Sequence, residues 1–383
     1  MHRHQTGYIW RKGRSWYGRW WDDVLREGQV VRTQRSKMLA EYCDRFRTES
    51  DVRPLLEEIL RPLNEGRSDA RGTMPIAEYV EKHYLPNARV NLKPSTYYGY
   101  SHIFRHYLAP RIPQKMVLRD FRTMHATNIL EMISRQTGIR RKHLQHIKAF
   151  LSAMFRRAIS QGVIDGPNPI REAEIPKAAG GIRETHAASL EQVLAMLNLK
   201  TLSLTAKTAI ALIYFCGLRP GEGLGANWED YDGKQLCVRR SIWRGHVTTP
   251  KTENSIKPIP VIEPLRTILE ECRAANGNPT AGPILRGQIS GKPISLDNLA
   301  YREVRPVLKA AGIPWFGWYA LRRGIASALD EITKRPNAAS ILLRHTNLSV
   351  TLEHYIKPNE QEMLDAMTLL ERLCGTSTAE RLQ

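Results

Sequence analysis

Two arginines far apart in the chain, a histidine and a late tyrosine raise the first chemical question. Arg219 stands in Cys216-Gly217-Leu218-Arg219-Pro220-Gly221-Glu222, Arg322 in Leu321-Arg322-Arg323, His345 in Leu343-Arg344-His345-Thr346-Asn347, and Tyr355 ends Thr351-Leu352-Glu353-His354-Tyr355. Such a set can attack a phosphodiester without metal. A tyrosine supplies an oxygen nucleophile that forms a covalent intermediate. Guanidinium groups grip phosphate oxygens bidentately and stabilise the charge that grows on them. The chain has 14 tyrosines, so a tyrosine alone carries no information. Tyr355 closes the same run, ten residues after His345. The ordinary readings are a surface arginine in a helix turn, a helix-capping histidine, and Arg323 in place of Arg322.

The elements around these residues must hold them still. Gly217 ends one helix, and Pro220 suits the first turn of the next. Arg219 is therefore expected on a tight elbow, with Glu222 where it can steady a guanidinium. Lys251 lies in Thr248-Thr249-Pro250-Lys251-Thr252-Glu253-Asn254, between two strand candidates. A lysine partly desolvated beside a phosphodiester makes a general acid. Lys257 is its competitor, and Lys251 fits better because it is the Thr-flanked lysine that comes before the strand, whereas Lys257 opens the Lys257-Pro258-Ile259-Pro260-Val261 strand itself.

The bulk numbers point the same way. The 383 residues suggest two to three domains of about 150 residues each. A net charge of +19, with a sequence pI of about 9.9, calls for a polyanionic partner, nucleic acid before an anionic membrane. No apolar run is long enough to cross a bilayer, and the N-terminus lacks an apolar signal core. The five cysteines, Cys43, Cys216, Cys237, Cys272 and Cys374, form no Cys-x-x-Cys pair. Free thiols in a reducing cytoplasm are expected. His143 and His146 share a helical face without nearby ligand partners, so packing or surface histidines are expected rather than zinc.

Three segments follow along the chain. Residues 1–65 read as a small β-rich unit: strands at Tyr8–Trp10, Trp16–Trp21 and Gln29–Arg32, then a helix capped by Ser36 and running through about Arg47. In the second strand Trp16 and Trp20 share one face, Tyr17, Arg19 and Trp21 the other. Residues from about 49 to 72, interrupted by Pro54 and Pro62, read as a semi-flexible connector, with two leucine-rich turns between the prolines as a candidate short helix. Residues 73–172 read as four helices. The fourth repeats Leu144, Ile147, Leu151, Met154, Phe155 and Ala158 at helical spacing. Its polar face offers Arg140, Arg141, Lys142, Lys148, Arg156 and Arg157, and no acidic residue occurs from Arg135 to Ser160. So one-sided a charge favours phosphate contact over a merely solvated face. Residues 185–383 mix helices with a short sheet. They include a capping box at Ser189 and Gln192, a buried helix at Thr205–Phe215, and strands near Leu236, Ile242 and Ile259.

In order and local wording, these residues resemble the tyrosine recombinase (phage integrase) family, over about residues 73 to 370. The resemblance implies a multidomain fold, mainly α with small β-sheets. Its parts are an N-terminal arm-type DNA-binding domain, a helical core-binding (SAM-like) domain and a mixed α+β catalytic domain. It implies site-specific recombination: Tyr355 forms a 3′-phosphotyrosyl link, Arg219, Arg322 and His345 hold the phosphate, and Lys251 protonates the leaving 5′ oxygen. No cofactor, neither metal nor ATP, is implied. Double-stranded DNA is the implied partner, with four protomers assembling on paired sites and a DNA-bending host factor as a further candidate. Two departures stand out. Tyr319 replaces the histidine of the usual His-x-Leu-Arg, and Leu343-Arg344 stands where Leu-Gly is usual before His345. A type IB topoisomerase and a decayed, DNA-binding recombinase are the alternatives; Tyr319 is what permits the second.

Overall fold

The computed structural model describes residues 4–66, 69–177, 180, 185–249, 258–287, 291–333 and 341–344. Lys251, Lys257, His345, Tyr355 and Cys374 lie outside the described residues. The chain divides into two compact units, Met1–Arg183 and Glu184–Gln383.

The first unit opens with a three-stranded antiparallel sheet, β1 (Tyr8–Lys12), β2 (Ser15–Arg26) and β3 (Gln29–Glu41), in the order β1-β2-β3. Trp16 and Trp20 are buried together with Ile9, while Trp21 on the opposite face is exposed. The expected helix from Ser36 is absent. Ser36 pairs with Arg19 and Ala40 with Trp16, so strand β3 runs straight through it. Lys37, Met38, Leu39 and Ala40 are good helix formers, but a full-length partner strand overrides local preference.

The helix comes later. The expected connector forms α1 (Glu49–Asn64), with both prolines inside it. Its buried stripe of Val52, Leu56 and Leu60 packs with Trp16 and Trp20 of the sheet. Each such side chain contributes about 1.5–3 kcal/mol on burial. Together they offset the roughly 3 kcal/mol that an interior proline costs. The sheet is also pinned to the helices that follow. Asp22, buried in β2, accepts hydrogen bonds from Arg119, with Arg35 3.5 Å away, and the Leu25 amide donates to Thr73 Oγ1 at 2.8 Å.

The helical segment contains α2 (Ile76–Tyr79), α3 (Leu85–Asn91), α4 (Pro94–Ile103), α5 (Thr123–Thr137) and α6 (Arg141–Ser160). A π-helical turn, Val80–Tyr84, joins α2 to α3 into one rod, and a second, Phe104–Leu108, extends α4. The core is filled by the inner face of α6, including Leu144, Ile147, Phe150, Leu151, Met154 and Phe155.

The second unit is built around α8 (Leu204–Phe215), whose residues from Thr208 to Phe215 are all buried. Before it comes α7 (Leu190–Asn198), opened by the Ser189–Gln192 capping box. After it come α9 (Pro220–Gly225), β4 (Gln235–Cys237), β5 (Ser241–Trp243), β6 (His246–Thr248) and β7 (Pro258–Pro260). The strands form two antiparallel pairs, β4 with β7 and β5 with β6. Helices α10 (Glu263–Ala275), α11 (Leu296–Leu299), α12 (Arg305–Ala310) and α13 (Trp318–Thr333) follow among the described residues.

Helix α13 lies so close to the segment before α7 that Gly324 is required. The Ala188 amide donates to the Ala320 carbonyl at 3.0 Å, and a Cβ on Gly324 would stand 2.0 Å from the Ala188 oxygen. Alanine is a better helix former than glycine by about 1 kcal/mol. Even so, Gly324→Ala is expected to lower stability by about 1–3 kcal/mol, because backbone must move to admit the methyl. A denaturant titration checks this; an unchanged or higher midpoint would show that the gap opens freely.

Candidate active site

The elbow between α8 and α9 forms as its residues require. Gly217 adopts φ +54°, Pro220 occupies the first turn of α9, and Arg219 is the residue before it. Glu222, three residues on, turns back. Its Oε2 accepts from the Arg219 amide at 2.9 Å, and its Oε1 accepts from Arg219 Nη1 at 2.7 Å. The carboxylate is thus fixed twice to the residue it supports, and it is buried.

Arg322, on α13, comes to the same place. It is fully buried, donates to the Gly217 carbonyl and to the Leu343 carbonyl (2.7 Å), and lies 3.9 Å from Glu222 Oε2. The next residue goes elsewhere: Arg323 donates through Nε to the His186 carbonyl at 2.7 Å. Tyr319, one turn earlier, is exposed.

A third arginine completes the cluster. Arg344 Nη2 donates to Glu222 Oε2 at 2.7 Å, and the residue is 5% exposed. Its backbone has φ +54°, the left-handed region that costs a side-chain-bearing residue about 1–2 kcal/mol. Among the described residues, its Nε and Nη1 have no hydrogen-bond partner. From sequence, Arg344 registered only as a departure from the Leu-Gly pattern; its contact with Glu222 had no sequence signal.

The electrostatics follow. Burial pushes the Glu222 carboxyl up, but Arg344, Arg322 and Arg219 and the Arg219 amide together bring it below its ordinary value. It is therefore ionised at neutral pH. Burial pulls the Arg344 guanidinium down, and Arg219 nearby adds to that, against the pull of Glu222. The neighbouring Cys216 thiol is pushed up to about 12 by burial and stays neutral. Among the described residues, three guanidiniums against one carboxylate leave a net charge of two positive in a largely dry site. Such a site suits an anion.

The hairpin that precedes Lys251 rests on α9. A Cβ on Gly221 would meet Ser241 Oγ at 2.6 Å, and β5 and β6 pair through Ser241–Thr248 and Trp243–His246. In the first unit, Arg140, Arg141, Lys142 and Arg156 are exposed on or beside α6, and Arg157 is half-buried. Lys148 is engaged locally, donating to the carbonyls of Arg171 (3.2 Å) and Ala173 (2.6 Å). The His143 ring lies tilted against Tyr107 with centroids 5.0 Å apart, and burial lowers its pKa. Among the described residues, no helix is long and apolar enough to cross a membrane.

Two family models match the chain. The phage integrase family model covers residues 184–362, and the phage integrase N-terminal SAM-like domain model covers residues 77–132. A tyrosine recombinase XerC-like protein of Caldanaerobacter subterraneus subsp. tengcongensis is 23% identical over 374 residues, 90% of this chain and 94% of that protein. The ICEBs1 integrase of Bacillus subtilis is 26% identical over 204 residues, 50% of this chain and 53% of its own. Among solved structures, the Tn1549 transposon integrase in complex with circular intermediate DNA superposes with a TM-score of 0.62 at 18% identity, covering 78% of this chain and 100% of that one. The lambda integrase tetramer bound to a Holliday junction gives 0.53 at 18% identity, covering 90% and 93%. At these identities the structural likeness speaks for the fold.

Proposed function

We propose a residue-level mechanism for this chain, which belongs to the phage integrase family of tyrosine recombinases and is a site-specific DNA-breaking and rejoining enzyme. Tyr355 attacks the scissile phosphate. Its phenolic proton passes to solvent water as the oxygen bonds to phosphorus, a 3′-phosphotyrosyl link forms, and the P–O bond to the 5′ oxygen breaks as that oxygen takes a proton from Lys251. Arg219, Arg322 and His345 hold the phosphate and take up its developing charge. Rejoining reverses the step, because the covalent link conserves the phosphodiester's energy.

The observation that carries this reading is the meeting of Arg219 and Arg322, 103 residues apart in sequence, on one buried carboxylate. A structural ion pair needs one guanidinium per carboxylate; a phosphate site needs the surplus. Arg140, Arg141, Lys142, Arg156 and Arg157 are assigned to backbone contacts on double-stranded DNA. Lys148 lies on the same helix with its ammonium already held by carbonyls. Four protomers on paired sites are the proposed assembly, in keeping with the lambda integrase tetramer on a Holliday junction. A DNA-bending host protein is a further partner in this reading.

The test is to trap the intermediate on a nicked suicide duplex, in which the freed 5′ fragment diffuses away. A stable protein–DNA adduct is expected. A protein that binds the duplex yet forms no adduct would be a decayed recombinase. Plasmid relaxation without strand exchange would favour the topoisomerase outcome.

Tyr319 gives a separate expectation. A phenol with a pKa near about 10 is a poor base at neutral pH. Tyr319→Phe should therefore slow cleavage by less than about tenfold, whereas proton transfer is worth roughly 10²–10⁴-fold where it operates fully. Tyr319→His should run at least as fast as the wild type. Single-turnover cleavage across pH decides it, and a Phe variant as inactive as one lacking Tyr355 would assign the phenol an essential role.

A further inference from the structure

The mechanism above leaves one buried cation without a task. Arg344 shares Glu222 with Arg219, and its Nε and Nη1 have no hydrogen-bond partner among the described residues. Donors sealed from solvent and left unpaired are rare in folded proteins, and each calls for a partner. A guanidinium that served only to neutralise Glu222 would be redundant. Arg219 already forms an ion pair with that carboxylate at 2.7 Å, and Arg322 Nη1 lies 3.9 Å from it. The position is also a poor one for any residue with a side chain, since its φ is +54°. A residue whose backbone suits glycine, and whose side chain threads into a dry cationic cluster, is better explained by its free donors than by packing.

We propose that Arg344 is a third phosphate-contacting guanidinium, using Nε and Nη1 to hold a non-bridging oxygen of the scissile phosphodiester beside Arg219 and Arg322. This rests on the phosphoryl-transfer reading of the same site. The charge fits the chemistry. A phosphodiester brings one negative charge, and the attacked phosphorus centre gains a second in the transition state. Three guanidiniums and Glu222 leave two positive charges to meet them. Arg219, with a quarter of its side chain exposed, marks the side from which the anion reaches the cluster. Cys216, neutral, does not compete.

The experiment pairs Arg344→Gly with a change in the substrate. Glycine suits the backbone and deletes the whole side chain. Covalent adduct formation is timed in single turnover on a nicked duplex with the natural scissile phosphate, and on one in which methylphosphonate removes the charged oxygen. On the natural duplex, Arg344→Gly is expected to be about 10–100-fold slower than the wild type. On methylphosphonate the gap should shrink to less than about threefold, because residue and charge are two halves of one contact. An equal slowing on both substrates would mean that Arg344 acts only by holding Glu222, and would overturn the proposal; so would no slowing on either. Where methylphosphonate reacts too slowly to time, the same comparison is made on duplex affinity in a Tyr355→Phe background. If the Gly variant melts early, Arg344→Lys replaces it. It keeps the charge and should lose only part of the natural-substrate rate. A wild-type protein that forms no adduct would sink the phosphotyrosine reading itself and this proposal with it, a result told apart because it appears before any Arg344 variant is compared.

Discussion

Tyr355→Phe is expected to form no covalent adduct on a nicked suicide duplex while binding that duplex with nearly unchanged affinity. The substitution deletes one hydroxyl, the only atom that could bond to phosphorus from that side chain. Affinity for DNA rests mostly on phosphate contacts from lysine and arginine, and a chain with net charge +19 has many of them. The two readouts should therefore separate cleanly: adduct on a denaturing gel falls to background, and the binding midpoint moves by less than about twofold, well under 1 kcal/mol. Adduct surviving in the Phe variant would place the nucleophile elsewhere, with Tyr319 the first suspect, since it lies exposed on α13 one turn before Arg322. A large loss of binding would mean instead that the hydroxyl holds DNA in the ground state.

The sequence was most legible where punctuation and chemistry coincide. Gly217 and Pro220 mark the elbow that carries Arg219, and both do in the structure what their backbone preferences dictate. The inner face of α6 was equally plain, because seven buried residues recur at helical spacing along it. The stretch after Gln29 misled for a physical reason. Its exposed positions carry Arg, Gln, Lys and Met, which serve a solvent-facing strand as well as a helix, and only pairing with β2 decides between them. The prolines of α1 misled in the opposite way. They read as the bounds of a short helix at most, yet α1 runs through both, because its apolar stripe of Val52, Leu56 and Leu60 has a sheet to bury against.

The site itself was legible as a set of residue types but not as a cluster. Nothing in the local wording shows that Arg322 reaches the Gly217 carbonyl, or that Arg323 turns away to His186. Least visible was Arg344. In sequence it is a basic residue where glycine was expected; its left-handed backbone and its bond to Glu222 emerge only from tertiary structure.

That geometry sharpens the second large effect. Arg219→Ala and Arg322→Ala should each slow cleavage by on the order of 10²-fold or more, from lost stabilisation of the charged transition state. The two should differ in stability. Arg219 is partly open to solvent, and its loss leaves Glu222 with Arg344 and Arg322 as counter-charges. Arg322 is fully buried and clasps three segments through the Gly217 and Leu343 carbonyls and Glu222. Removing it strands two carbonyls and weakens a buried charge network, a change that typically costs about 3–5 kcal/mol. Arg322→Ala should therefore unfold at a clearly lower denaturant concentration, while Arg219→Ala should stay within about 1–2 kcal/mol of the wild type. Arg323→Ala, whose guanidinium is turned to the His186 carbonyl, should cut cleavage far less than either. Single-turnover cleavage read at temperatures where all three variants are folded separates chemistry from stability. Equal losses at Arg322 and Arg323 would show that the phosphate is held by the neighbour. A fully active Arg219→Ala would remove the elbow from the site altogether.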